Sequence, residues 1–257
     1  MNLRTVTAVR YVTPLREGGS LPAIVEADDD GLYVLKFHGA GQGAKALIAE
    51  LVSGEIGRAL SLPIPEIVFV ELDPELARTE PDPEIRELIK ASGGLNLALD
   101  YLPGSAAFDP LVEKVNPELA SSIVWFDAYI TNVDRTPRNT NMLMWHKRLW
   151  LIDHGASLYF HHTWNSYIEK SMEPFSLIKD HVLLRFADSL EETDKKMTGI
   201  LTSDIIESII ESIPDVWLSG NSNFQNSDEY RNAYTKYLVK RLKSSHIFTE
   251  EAIRARR

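Results

Sequence analysis

The chain has 257 residues, of which 44% are hydrophobic and 25% are charged. This composition is ordinary for globular domains and argues against a disordered chain. There are no cysteines, which excludes disulfides, thiolate zinc sites and cysteine nucleophiles. The formal net charge of −10 disfavours a protein that coats nucleic-acid phosphates, so we expect no direct nucleic-acid partner.

The N-terminal residues contain no apolar signal core, and no window approaches the roughly 18 uninterrupted apolar residues of a membrane helix. We therefore expect a cytoplasmic protein without a membrane span. Nucleotide binding stays open, because a nucleotide phosphate is held by a few local cations, backbone amides and magnesium. The basic residues Lys236, Lys240 and Arg241 in the last helix are expected to form a solvated face, although a partner protein is possible.

The first third of the chain has the pattern of β-strands. Residues 5–12 alternate weakly, and a turn at residues 15–20 leads to a second strand over residues 22–27. A hairpin signal at residues 28–31 precedes residues 32–37, which are rich in aromatic and branched side chains. These patterns predict an antiparallel meander.

From residue 43 the apolar residues recur at helical spacing, and Pro63 ends that helix. Residues 67–72 read as another strand. The acidic, proline-containing segment 73–87 predicts a surface excursion. Residues 95–102 are apolar and are followed by proline and glycine, which indicates a connection between two lobes.

The second half is mainly helical, with one hairpin. The hairpin joins two short apolar runs, residues 142–145 and 149–152, and we expect Trp145 to pair with Leu149 around a three-residue turn. The expected helices cover residues 117–131, 175–190, 204–213 and 227–242.

A polar segment between a helix and this hairpin contains Asp134 five residues before Asn139. With the expected pairing, Asn141 would lie opposite Asp153, and Asn139 would lie just beyond the strand end. Asn139 and Asp153 would then converge on one hard cation, while Asp134 accepts the proton of an attacking hydroxyl. This arrangement is what phosphoryl transfer requires, although each residue alone would serve equally well as a loop cap.

Lys36 supplies a cation in the first lobe. Strand alternation places it on the same face as Leu32 and Val34, where a lysine is unusual without an anionic partner. A nucleotide phosphate would serve, and so would Glu50 on the following helix, with Glu55 as the alternative.

The order of these features resembles the protein-kinase superfamily: strand lysine, helix glutamate, connector, Asp-x-x-x-x-Asn loop, hairpin and Asp-x-Gly. Details resemble the HipA-like kinases, and these are residues 49–51 running into 58–65, residues 132–135 with Asn139, and residues 213–217. The resemblance covers about residues 36–217. It implies an α+β, two-lobed kinase-like fold with an antiparallel-sheet N-lobe carrying one main helix and a mainly helical C-lobe.

The resemblance also implies a division of the chain and roles for its residues. Residues 1–97 would form the N-lobe, 98–104 the connector and 105–257 the C-lobe. It further implies ATP and Mg²⁺ as cofactors and a hydroxyl acceptor, most simply serine or threonine of a protein. The implied roles are Lys36 on the ATP phosphates, Glu50 orienting Lys36, Asp134 as the catalytic base, Asn139 and Asp153 on magnesium, and the backbone of Asp100, Tyr101 and Leu102 facing the adenine.

The chain departs from the family pattern in three places. HipA-like kinases commonly have a histidine shortly after the catalytic aspartate, where this chain has Thr136 and Pro137. His154 stands where kinases have phenylalanine, and the only candidate nucleotide-covering loop is the short turn at residues 18–20. These departures concern the choice of substrate and regulation more than nucleotide binding.

Three other functions remain possible from the sequence. A metal hydrolase would use His154, His161 and His162 near Asp153, although adjacent histidines do not share a face as zinc ligands do. A pseudokinase would keep the fold without the transfer. A small-molecule or phosphoinositide-like kinase would use the same loops on another acceptor.

Overall fold

The structure is a computed structural model that describes residues 3–15, 21–220 and 223–257. The turn expected at residues 15–20, including residues 18–20, lies almost wholly outside this part of the chain. The strands are β1 (Thr5–Pro14), β2 (Ala23–Ala27), β3 (Leu32–Lys36), β4 (Ile67–Leu72), β5 (Gly94–Asp100), β6 (Ala106–Ala107), β7 (Met142–Trp145) and β8 (Arg148–Leu151).

The helices concentrate in the second half of the chain, as the sequence predicts. Among the described residues they are α1 (Ala44–Ala59), α2 (Pro83–Ala91), α3 (Pro117–Ile130), α4 (Tyr167–Lys170), α5 (Leu190–Ile200), α6 (Ser203–Glu211), α7 (Asp215–Leu218), α8 (Ser227–Lys243) and α9 (Ser245–Arg256). None of these helices combines the length and the apolar character needed to cross a membrane.

The first five strands form a closed barrel in the order β1-β2-β3-β5-β4, whereas the sequence predicted an antiparallel sheet without indicating that it closes. Most neighbours are antiparallel, but β1 and β4 pair in parallel, with Thr5 opposite Phe69. The register of β1 against β2 shifts twice along its length. Such irregularities bend a strand, so β1 can pair with β2 and β4 and leave no free edge.

Helix α1 packs between the barrel and the helical part of the chain. Its residues from Leu47 to Gly57 are all buried, because apolar neighbours lie on both sides. Glycines permit this close packing: a Cβ on Gly54 would come within 2.3 Å of Ile67 Cδ1, and one on Gly57 within 2.3 Å of Ile64 Cδ1. The polar residue Glu50 on this helix therefore lies in the interior.

The β7–β8 hairpin has a different register from the expected one. Trp145 pairs with Arg148 and Met142 with Leu151, so the turn has two residues instead of three. Both turn residues, His146 and Lys147, have positive φ, as the favoured two-residue hairpin turns require. The sequence prediction made the turn one residue too long. Neither turn residue is the glycine or asparagine that normally marks a two-residue turn, so no signal in the sequence indicates it.

Two segments differ from the sequence prediction. Residues 175–190 contain short 3₁₀ turns at Ser176–Asp180 and Leu184–Phe186, and α5 begins only at Leu190. The backbone N–H of Val182 donates to the carbonyl of Arg135, so a tertiary hydrogen bond replaces a helical one. The expected surface excursion contains a 3₁₀ turn and α2, which buries Ile85 and Ile89.

Arg241 on α8 is almost wholly buried, which corrects the solvated face expected for it, and it joins α8 to α3. Its guanidinium donates to the carbonyls of Ala128 and Tyr129 in the last turn of α3, and to those of Ser171 and Glu173. A helix leaves its final carbonyls without intrahelical partners. Arg241 satisfies two of them in α3, just before the segment that holds Asp134.

Candidate active site

Lys36 lies at the end of β3, on the strand face that is half exposed, whereas the alternate residues Tyr33 and Leu35 are buried in the barrel core. Its ammonium contacts Glu50 Oε2 at 2.5 Å and Asp153 Oδ1 at 2.6 Å. The structure thus brings together three of the residues singled out in the sequence, from a strand, a helix and a loop.

Glu50 is fully buried and contacts His154 in addition to Lys36. Its Oε2 also accepts the backbone N–H of His154 at 2.8 Å, and its Oε1 lies 3.2 Å from His154 Nδ1. An ionised carboxylate can only accept, so His154 Nδ1 carries the proton. Both carboxylate oxygens of Glu50 are therefore held, one of them by the residue that follows Asp153.

Electrostatics keep the Lys36–Glu50 pair ionised. Burial alone would raise the pKa of Glu50, but the charge of Lys36 and the hydrogen bond from His154 outweigh it and lower that pKa to about 2. Burial opposes the charge of Lys36, and Glu50 and Asp153 together outweigh it and raise the pKa of Lys36. At neutral pH, Lys36 is a cation with two of its three N–H donors in use.

Asp153 follows the hairpin with φ of +56°, in the left-handed region. Its side chain is 47% exposed, in contrast to the buried Glu50. Its Oδ1 contacts Lys36, and among the described residues its Oδ2 has no hydrogen-bond partner. Asp153 is thus the member of this group that faces solvent with a free carboxylate oxygen.

The segment after α3 holds Asp134. Two side-chain amides donate to its Oδ2, that of Asn139 at 2.7 Å and that of Asn141 at 3.1 Å. Asn139 uses its nitrogen here, which leaves its carbonyl oxygen directed elsewhere. Within the part of the chain that the structure describes, Asp134 Oδ1 has no hydrogen-bond donor.

A second, buried ionic network contacts this segment on its interior side, around Asp127 of α3. Asp127 on α3 is fully buried and accepts from Arg135 Nε at 2.6 Å, His181 Nε2 at 2.8 Å and Asn132 Nδ2 at 2.9 Å. The N–H of Leu183 donates to His181 Nδ1, so the proton of His181 is on Nε2. Burial would raise the pKa of Asp127, but Arg135 and His181 lower it well below its usual range.

Arg135 also joins the two loops of the site. Its guanidinium donates to the carbonyls of Asn141 and Ile152, which are themselves paired across the strand ends. Ile152 precedes Asp153, and Asn141 holds Asp134. The loop with Asp134 and Asn139 and the loop with Asp153 are therefore fixed to each other through one buried side chain.

The residues expected to face the adenine lie at the end of β5 and just after it. The N–H of Asp100 donates to the carbonyl of Glu66, and that of Tyr101 donates to the carbonyl of Leu32. The N–H of Leu102 has no backbone partner among the described residues. Burial raises the pKa of Asp100, and the nearby carboxylate of Glu66 adds to this effect.

The remaining sequence candidates lie elsewhere. Glu55 contacts Arg58 at 3.1 Å and does not approach Lys36, and burial raises its pKa. His161 is buried with its Nδ1 at 2.9 Å from the hydroxyl of Tyr234. The ring of His162 packs against Tyr159. Across residues 3–15, 21–220 and 223–257, no three histidine or acidic side chains are placed to share a metal ion.

Sequence reasoning missed several residues of this site. Asp127 and His181 look like ordinary polar residues within long segments, and no local pattern marks them. Asn141 was expected only as the residue opposite Asp153, and its hydrogen bond to Asp134 was not predicted. His154 was noted as a possible metal ligand and as a departure from phenylalanine, but its contact with Glu50, which spans 104 residues of sequence, was not predicted.

Comparison with solved structures shows the fold. A crystal structure of a Helicobacter pylori proinflammatory kinase, CtkA, matches with a TM-score of 0.57 and 12% identity over 99% of both chains. The Golgi casein kinase with Mn/ADP bound matches with a TM-score of 0.55 and 13% identity, over 96% of this chain and 74% of that one. A second structure of the Golgi casein kinase gives a TM-score of 0.53 at 12% identity, over 96% of this chain and 72% of that one.

Comparison with sequences identifies a family within the kinase fold. No curated protein matches the chain. The family model of the HipA-like kinases matches residues 8–251, which is nearly the whole chain and includes Lys36, Glu50, Asp134, Asn139 and Asp153. This chain therefore belongs to the HipA-like kinase family and has the fold of a kinase-type phosphotransferase.

Proposed function

We propose that this kinase transfers the γ-phosphate of ATP, with Mg²⁺, to the hydroxyl of a serine or threonine in a protein. The observation that carries the proposal is the convergence of Lys36, Glu50 and Asp153 beside a fixed loop that holds Asp134 and Asn139. Phosphoryl transfer depends on positioning and on charge stabilisation. The proposed site offers a cation, a base and oxygen ligands for both purposes.

The side chains available for magnesium suit a hard cation. Asn139 donates its amide nitrogen to Asp134, so its carbonyl oxygen is the atom left to bind a metal. Asp153 has one oxygen on Lys36 and one without a partner in the described residues. Magnesium prefers oxygen ligands of this kind and keeps several waters. When bound, it would neutralise charge on the phosphates.

The chain's own groups have separate tasks in this mechanism. Lys36 has one N–H left after Glu50 and Asp153, and that donor would hold a phosphate oxygen. Asp134 would take the proton of the acceptor hydroxyl on Oδ1, because the amides of Asn139 and Asn141 already occupy Oδ2. Those two amides fix the rotation of the carboxylate, so its free oxygen points in one direction.

The connector would bind the adenine through its backbone. Of Asp100, Tyr101 and Leu102, only Leu102 has an N–H without a backbone partner among the described residues. We assign that N–H as the donor to the adenine ring. The carbonyl of Leu102 accepts from the N–H of Ser105, which holds the connector in its turn.

The central test separates binding from chemistry at Asp134. Asp134→Asn is expected to keep the dissociation constant for MgATP within a few-fold, because Asp134 touches the acceptor and not the nucleotide. Turnover is expected to fall by about two to four orders of magnitude, the usual size of a general-base effect. Calorimetry and transfer of labelled phosphate from ATP to candidate proteins, lipids and small molecules measure the two quantities.

Asp153→Asn is the matched variant, since it also exchanges one carboxylate for an amide. It is expected to weaken metal-dependent ATP binding, which Asp134→Asn should spare. Equal ATP affinity with and without magnesium in the wild type would overturn the metal assignment. MgATP binding with no transfer to any acceptor would favour the pseudokinase, and transfer to lipids or small molecules alone would replace the protein acceptor.

A further inference from the structure

A groove lies between the β7–β8 hairpin, the start of α3 and the segment that connects β6 to α3. Its volume is about 330 Å³. None of its lining residues belongs to the contacts of the active site described above. The apolar part of its lining comes from Pro63, Phe108, Val115, Leu119, Met144 and Leu149.

The charged part of the lining is mainly basic, with Lys114, Lys147 and Arg148 against the single acid Glu113. All three cations are exposed. Among the described residues, their side chains form no hydrogen bond and no ion pair, whereas Arg231 contacts two carboxylates. In a chain with a net charge of −10, three unpaired cations around one groove form a local positive field.

Two exposed apolar side chains stand next to the groove residues in the sequence. Leu111 is 84% exposed and Val112 is 72% exposed, the two highest values among the large apolar residues that the structure describes. They directly precede Glu113 and Lys114 in the chain. Adjacent exposed apolar residues next to a groove are typical of a surface that another molecule covers.

We propose that this groove binds a segment of a partner protein in which apolar residues are flanked by aspartate or glutamate. The apolar side chains would enter between Met144, Leu149 and Leu119. The acidic residues would pair with Lys147 and Arg148 on the hairpin, and with Lys114 opposite. Charge complementarity of this kind sets the orientation and raises the rate of association.

A protein segment suits the surface better than an anionic membrane does. The apolar lining is concave and lies between two chain segments, which suits inserted side chains more than a flat lipid surface. The acidic remainder of the chain would also be repelled by anionic lipids, which attract dense basic clusters. The groove needs no particular phosphate acceptor, so this inference is independent of the acceptor proposed above.

The test uses the full chain and a fluorescein-labelled synthetic peptide in which two leucines are flanked by glutamates. Fluorescence anisotropy is expected to show binding that weakens as salt is added. Charge reversal at Lys147→Glu with Arg148→Glu is expected to weaken it by at least about tenfold. Two altered peptides are tested on the wild-type chain, one with lysines in place of glutamates and one with serines in place of leucines. Each is expected to bind no more tightly than the original peptide binds the charge-reversed variant.

The control is Lys195→Glu with Lys196→Glu on α5, which makes the same change in net charge on exposed residues away from the groove. It is expected to leave peptide binding unchanged. Equal weakening by both double variants would show that only net charge matters and would overturn the proposal. The absence of peptide binding would also overturn the proposal. So would binding of the wild type to vesicles of phosphatidylcholine and phosphatidylserine, if Lys147→Glu with Arg148→Glu abolishes it and the control variant does not.

Discussion

The two ionic networks of the site differ in their access to solvent. Asp127, Arg135 and His181 are closed in on every side, and the Asp127 and Arg135 side chains are both 0% exposed. The network of Lys36 and Glu50 ends in Asp153, whose side chain is 47% exposed. Removing a donor from a buried carboxylate that has three of them costs much free energy, whereas Asp153 keeps one oxygen open to solvent. The first network therefore holds the loop in place, and the second leaves one carboxylate oxygen accessible.

The largest expected effect would come from breaking the closed network. Asp127→Asn leaves the guanidinium of Arg135 buried without a counter-charge, and it should lower the free energy of unfolding by about 3–5 kcal/mol. Asp153→Asn makes the same chemical change at the open end, and it should cost less than about 1 kcal/mol. Urea denaturation of both variants measures the contrast. Equal losses would show that the distinction between the networks is wrong.

Acid should next separate the two buried glutamates of α1, Glu50 and Glu55. The pKa of Glu50 is about 2, below the usual 4.5, so its stabilisation is present above pH 4.5 and is lost as the pH falls toward 2. That difference corresponds to about 3 kcal/mol of unfolding free energy. We expect Glu50→Gln to flatten the loss of stability between these pH values. Glu55, whose pKa is raised, should contribute with the opposite sign, so Glu55→Gln should steepen the loss.

Activity gives a further comparison between the same two glutamates. Glu50 contacts Lys36 and is proposed to orient it, so Glu50→Gln should lower the rate of phosphate transfer, while Glu55→Gln should leave it near the wild-type rate. Chemical denaturation of each variant near neutral pH provides the folding control. A lower rate in Glu55→Gln alone would mean that the wrong glutamate has been assigned.

The smallest effect concerns His154 as a positioning residue. His154→Leu removes the donor to Glu50 Oε1 and leaves that oxygen buried and unpaired, so turnover should fall by about tenfold. His154→Asn places an amide near the position of Nδ1 and should recover most of the turnover. A merely apolar role would reverse this order, because leucine fills the space beside Phe126 better than asparagine does.

Much of the fold was predictable because its signals are local. The strand period places Lys36 on one face with Leu32 and Val34, although the buried face of β3 is the other one. Helical spacing marks α1 together with its glutamates. The Asp-x-x-x-x-Asn spacing marks Asp134 and Asn139, since both lie in one short loop. A contact between residues near in sequence, such as that of Asn139 with Asp134, is therefore within reach of a local pattern.

The remainder depends on distant partners. Closure of the barrel joins Thr5 to Phe69, and no local pattern in β1 marks a second, parallel partner. The predicted hairpin register was wrong by one residue, because His146 and Lys147 adopt positive φ although neither is a usual residue for such a turn. Asp127 lies on an apolar helix, and only the fold reveals that His181 reaches it from 54 residues away.

Arg241 has a consequence for the order in which the protein can mature. It lies 112 residues after Tyr129, whose carbonyl it caps, and only sixteen residues from the end of the sequence given. During synthesis the loop with Asp134 emerges long before this support does, and contacts so distant in sequence form late. The last turn of α3, just before the loop with Asp134, therefore gains this support only after α8 has been made, so a nascent or truncated chain that ends before α8 should hold that loop less firmly.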